Sequence, residues 1–148
     1  METATEQKIK ELVEQIQSDE FAYIFGSKNE ANEVLDSTPM PCVINILPIS
    51  GTGTIKGNSI KMQPNCLFAF LDKISEEEKL AEEITEISSR MMAALKEFIA
   101  RLNKSGYFEP ISEFRWESIE EYDIGAAGVV LDIQLKEKEG VQLCTLTQ

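Results

Sequence analysis

The sequence predicts an α+β fold: a mostly antiparallel sheet of four to five strands, with a long helix and an N-terminal helix packed on one face. Three observations carry that prediction. Apolar residues recur at helical spacing in two segments, one near the N-terminus and one over residues 80–102, whereas short alternating or continuous apolar runs of β character fill residues 42–47, 66–71 and 129–135. The two patterns interleave without a linker, repeat or low-complexity segment, so residues 1–148 read as one domain. A chain of this length buries about 68–70% of the surface that its unfolded form exposes, and so needs no disulfide or metal to hold it together.

Ile9, Leu12, Val13 and Ile16 lie at i, i+3, i+4 and i+7, one face of a helix over residues 5–18. Residues 21–25 (FAYIF) form an aromatic and β-branched run closed by Gly26, a strand or an extended lead-in. SKNEANEVLDSTPMP is turn-rich, with room for one helical turn over residues 30–35; Pro39 and Pro41 then block helix and prime an extended segment. CVINIL (42–47) and CLFAFL (66–71) read as buried strands of a hairpin. In SEEE, Ser75 precedes Glu78 by three residues, a capping box, and Glu76 and Glu77 suit the positive end of the helix dipole. Leu80, Ile84, Ile87, Met91, Leu95, Phe98 and Leu102 then make a single apolar stripe on a helix about 40 Å long. Residues 103–106 supply the stop. Residues 108–116 alternate as a strand, residues 124–128 (IGAAG) read as a flexible turn, and Val129, Leu131, Ile133 and Leu135 alternate with a wet face that includes Asp132 and Gln134. The tail VQLCTLTQ adds an edge strand or lies against a partner; the pattern leaves both open.

The segment PISGTGTIKGN, residues 48–58, invites comparison with a phosphate-binding loop. A P-loop requires GxxxxGK[ST] running straight into a helix, so that backbone N–H groups converge on phosphate. Here Gly51, Gly53 and Gly57 have other spacings, Lys56 precedes its glycine, and the strand-like IKGNSIKM follows. The segment is therefore read as the turn of the hairpin, with Gly57-Asn58 a second, tighter reversal or a bulge.

Chemistry is sparse. The chain has no histidine, the commonest general base and metal ligand, which removes most hydrolytic triads and zinc sites. Cys42, Cys66 and Cys144 sit in apolar strand patterns without CxxC spacing, as inert thiols of a reducing compartment do. The acidic clusters SEEEKLAEE and WESIEEYD lack EF-hand spacing and read as solvated faces. We therefore expect no enzyme activity, catalytic residue, cofactor or metal. Twenty-six acidic against fourteen basic side chains leave a net charge of -12, which opposes a grip on nucleic acid or anionic lipid. With neither a signal peptide pattern nor a run of 18 apolar residues, the chain is expected to be cytoplasmic as made.

Contact with other proteins is what remains. The loops over residues 50–59, with Thr52, Gly53 and Thr54, and over residues 123–128, with Gly125 and Ala126, are small and suited to ordering on assembly, and GVVLDIQLKEKE, containing Asp132, is placed at a sheet edge. Trp116 beside Arg115 offers an interface anchor, although packing in the core is the favoured reading. Met62, Met91 and Met92 likewise read as core filling before a binding groove.

The order of a hairpin (CVINIL to CLFAFL), the long helix EEKLAEEITEISSRMMAALKEFIARL and then ESIEEYDIGAAGVVLDIQLKE resembles the small virion proteins that finish bacteriophage tails, the tail-terminator or tail-completion proteins of head–tail joining. The likeness covers residues 40–138 and rests on element order and on the YD…GVVLDIQL character of the last hairpin. It implies a non-enzymatic structural protein that closes a ring at the head-proximal end of a tail, with copies of itself and other virion proteins as partners. The acidic surface then either lines a conduit that lets DNA pass or serves only solubility. Two rivals stand beside it: an acidic adaptor or DNA-mimic inhibitor, and a carboxylate enzyme using a divalent metal.

Overall fold

The computed structural model describes residues 4–17, 21–27, 40–74, 80–122, 126–138 and 141–142. In chain order these form α1 (Ala4–Glu14), β1 (Ala22–Ser27), β2 (Cys42–Lys56), β3 (Ser59–Lys73), α2 (Leu80–Ser105), β4 (Arg115–Tyr122), β5 (Ala126–Gln134) and β6 (Val141–Gln142). The six strands make one sheet of order β1-β2-β3-β5-β4, with β6 beside β3, and every pair except β1–β2 is antiparallel. The α+β class holds. The strand beyond the expected four or five is β6, in which Val141 and Gln142 of the tail pair with Ile60 and Ser59.

Register sorts the sheet residues onto two faces. The row Val43–Phe70–Val129 and the row Phe68–Leu131 point to the side where both helices lie, and α1 contributes Ile9, Leu12, Val13 and Ile16 to the same buried cluster. From α2 come Ile87, Met91, Leu95, Phe98 and Leu102, the stripe expected from its spacing. Phe98 meets Phe68 and Phe70 edge-on, with ring centroids 5.1 and 5.8 Å apart. On the opposite face Cys42, Ile44, Ala69, Leu71 and Ala126 form a second buried cluster. Burial on both faces explains why CVINIL and CLFAFL are continuous apolar runs instead of alternating ones.

Polar contacts fix the helices on this core. Arg90 of α2 donates to Asp72 of β3 at 2.7 Å. Glu97 of α2 accepts from Arg101 at 3.0 Å and from the backbone N–H of Gln17 at 3.0 Å, just past α1, where Gln17 has a positive φ of 49°. Arg101 also donates to Gln15.

Several expectations are corrected. Residues 48–56 are not a turn but the outer half of β2, and the reversal is Gly57-Asn58 alone, with Lys56 paired to Ser59. Gly57 at φ 61° supplies the positive φ that the first position of a two-residue hairpin loop requires. The register shifts between Ile46 and Ser50, a stretch that contains Pro48, which has no N–H for the ladder. Ala126, Ala127 and Gly128 likewise belong to β5, where Gly128 passes so close to the Phe70 carbonyl that no Cβ fits. Because β5 lies between β3 and β4, Asp132 is not on an edge strand. Residues 109–114 lie outside any strand; β4 begins at Arg115, and Phe108 makes an isolated bridge to Glu137. The suggested turn over residues 30–35, the Ser75–Glu78 capping box, Gly125 and Cys144 lie outside the described residues.

Candidate functional site

Two surfaces combine exposed apolar side chains with a backbone arrangement suited to receiving another chain. The first is a trough between α2 and β4. Among the described residues β4 pairs only with β5, which leaves its other edge open. Successive columns of α2 at i+4 spacing, Ile84–Ser88–Met92 and Thr85–Ser89–Ala93, turn toward β4, and their small residues keep that wall low. The trough so formed, about 610 Å³, has Val129 in its lining and Trp116 and Ser118 on the strand side. Trp116 pairs with Leu131 and therefore points to the helix side, but it remains 51% exposed because α2 does not reach over it. The expectation that Trp116 packs in the core is thus corrected: an outermost strand leaves its side chain without a second layer above it.

The second surface is an arm. Beyond the Asn65–Gln134 pair, β2 and β3 run on as a ribbon over residues 50–65, flanked on the β3 side by hydrogen bonds from Leu135 to Pro64 and from Glu137 to Met62, and then by β6. Its faces differ. Thr52, Thr54, Lys56, Ser59, Lys61 and Gln63 share one, where Thr52 donates to Gln63 at 3.2 Å. Ile55, Ile60, Met62 and Pro64 share the other with Gly51 and Gly53, and here Ile55 is 72% and Met62 54% exposed. Gly51 is required, since a Cβ there meets the backbone of Gln63 and Pro64, whereas a Cβ at Gly53 finds ordinary contacts 3.6 and 3.7 Å away.

The residues singled out in the sequence are therefore not one site. Thr52, Gly53 and Thr54 lie on the arm, and Trp116 lies on β4. Asp132 is exposed on the opposite sheet face, beside Leu67 and Arg115 in a shallow depression of about 180 Å³. Ala126 is buried and offers no side chain to a partner. What the sequence reading missed is the apolar arm face and the share of α2 in the trough. The alternation Ile60, Met62, Pro64 is the signal that a period of two would have found.

Nucleophilic and ligating chemistry is not assembled at either surface. Cys42 and Cys66 are buried in strands, and burial pushes both thiols up to about 12, with the nearby Asp72 carboxylate adding to the rise at Cys42. Among the described residues no three Cys, Asp or Glu side chains are grouped as metal ligands, and no helix is long and apolar enough to cross a membrane. Comparison with known proteins gives no match to any family model, to any curated protein or to any solved structure.

Proposed function

We propose that this chain is a non-enzymatic assembly protein of a phage or prophage virion, closing or joining the tail by ring-type contacts with copies of itself and with other virion proteins. The observation that supports this reading is the α2/β4 trough, where an exposed tryptophan and a methionine lie beside an open strand edge. Aromatic residues in a partly apolar cleft anchor protein interfaces, and an open edge accepts a further strand. The order of hairpin, long helix and hairpin that resembles tail-completion proteins adds the virion to the reading. A net charge of -12 suits a part that DNA passes without sticking.

The test is genetic. Flanking genes that encode capsid, portal or tail-tube chains, together with separated heads and tails in micrographs of a deletion lysate, are the expected result. Metabolic neighbours and normal particles overturn it. The acidic adaptor or DNA-mimic reading draws on the same charge and expects salt-sensitive capture of a basic partner, so a pull-down empty at low salt removes it.

A further inference from the structure

We propose that the arm of one copy docks in the α2/β4 trough of a second copy, Ile55 and Met62 entering it while Lys56 and Lys61, on the other face of the ribbon, lower the repulsion between two acidic bodies. The inference rests on the assembly reading for its biological purpose, but the contact is testable on the purified chain.

Three observations lead there. The apolar face of the arm continues the helix-side face of the sheet past the point where the helices cover it: Cys66 is buried, while Met62 and Ile55 stand in water. Gly51 and Gly53 add no side chains to that face, so Ile55 and Met62 project from it. A ribbon of this kind gains by covering its apolar face.

Charge then selects the cover. No Asp or Glu occurs between Asp36 and Asp72, and the arm carries Lys56 and Lys61; at +2 it leaves -14 on the rest of a chain whose total is -12. Two copies repel body to body, and the arm is the part of one copy whose sign opposes the body of the next. Glu82, three residues before Thr85 of the trough wall, is exposed, and Lys96 lies at the far end of the trough. That polarity places the lysines of the arm toward the start of α2.

Geometry makes the contact intermolecular. Ile60 is ten residues along β3 from Phe70, whose row leads to Val129 in the trough, a separation of about 33 Å along a paired strand. The arm does not fold back over its own trough. Because each copy has one arm and one trough, the contact is head-to-tail, and it propagates into a ring or a filament.

The experiment is sedimentation velocity on the full chain from low micromolar to several hundred micromolar. Concentration-dependent oligomers beyond a dimer are expected, weakened by salt. The double variant Ile55→Asp/Met62→Asp and the single variant Trp116→Asp alter exposed side chains, so each is expected to keep the wild-type circular dichroism and to associate about tenfold or more weakly. Mixing the two is the decisive step: the intact trough of one and the intact arm of the other restore a single heterologous contact and yield a 1:1 dimer that grows no further. A benzoylphenylalanine at position 55 is expected to cross-link to α2 or β4 of an isotopically labelled second copy. A chain monomeric throughout, association indifferent to Ile55 and Met62, no dimer on mixing, or cross-links from arm to arm or to another protein would each overturn the proposal. A monomeric chain with a tail-assembly phenotype removes this contact and leaves the virion reading, whereas arm-dependent oligomers from a gene among metabolic neighbours do the reverse.

Discussion

Asn45 is a buried polar residue on the helix-side face, between the β1 and β3 rows, with its Nδ2 donating to the Tyr23 hydroxyl at 3.0 Å and its Oδ1 without a hydrogen-bond partner among the described residues. A buried oxygen left unpaired costs its desolvation, whereas an apolar group of the same shape costs nothing of the kind. Tyr23 has a further interaction beyond Asn45 and so does not depend on it alone. Asn45→Leu is therefore expected to lie within about 1 kcal/mol of wild type, and Tyr23→Phe, which strips the amide of its partner, to cost about 1–3 kcal/mol; urea unfolding measures both. The thiols give a second residue-scale outcome. With Cys144→Ser in place, the folded chain is expected to take up no alkylating label at pH 8 and two equivalents in denaturant, because Cys42 and Cys66 are buried. Their pKa, raised from 9.0 to about 12, means that the folded chain holds protons that the unfolded chain releases. The stability linked to these thiols is thus full below pH 9 and is lost as pH rises toward about 12, so the urea midpoint should fall over that window, less so in Cys66→Ala.

At the scale of elements, the long hairpin of β2 and β3 decides how much of the surface is sheet and how much is arm. Its inner halves are apolar apart from Asn45 and the Asp72–Lys73 end, and most of their side chains belong to one of the two buried clusters, but its outer halves carry glycine, threonine and lysine and contribute to neither cluster. Composition suggested a loop there, since glycine between apolar runs is the usual turn signal. The strand persists because Gly51 allows the backbones of β2 and β3 to approach, a cause that lies in the partner strand and is invisible in local sequence. Gly51→Ala is expected to cost about 1–3 kcal/mol through that clash, and Gly53→Ala to be tolerated, since its new methyl meets Lys61 O at 3.6 Å and Met62 Sδ at 3.7 Å. Thermal unfolding of the two single variants separates them; equal melting temperatures would mean that the arm does not pair as described.

For the whole molecule, legibility tracked sequence distance. The α2 stripe and the N-terminal helix were readable because a period near 3.6 is written in consecutive residues, and Ile87 to Leu102 are buried as that period requires. The order β3-β5-β4 was not readable, and with it went the positions of Asp132 and Trp116, because the partner of a strand is set by residues some sixty positions away, as Phe68 with Leu131 illustrates. The same separation divides the chain into a body and an arm: no residue of either buried cluster lies between Ser50 and Asn65. A body whose core owes nothing to the arm should fold without it. Replacing residues 51–64 by a two-residue turn that joins Ser50 to Asn65, which are already paired across the ribbon, removes the β6 pairing, the Met62–Glu137 bonds and the bond from Leu135 N–H to the Pro64 carbonyl, but no residue of either buried cluster. The shortened chain is expected to unfold in one cooperative transition within about 5–10 °C of wild type, consistent with the loss of a few surface hydrogen bonds. It is also expected to have lost self-association. A shortened chain that is unfolded would place the arm in the folding core instead, and one that is folded and still oligomeric would move the contact between copies to another part of the body.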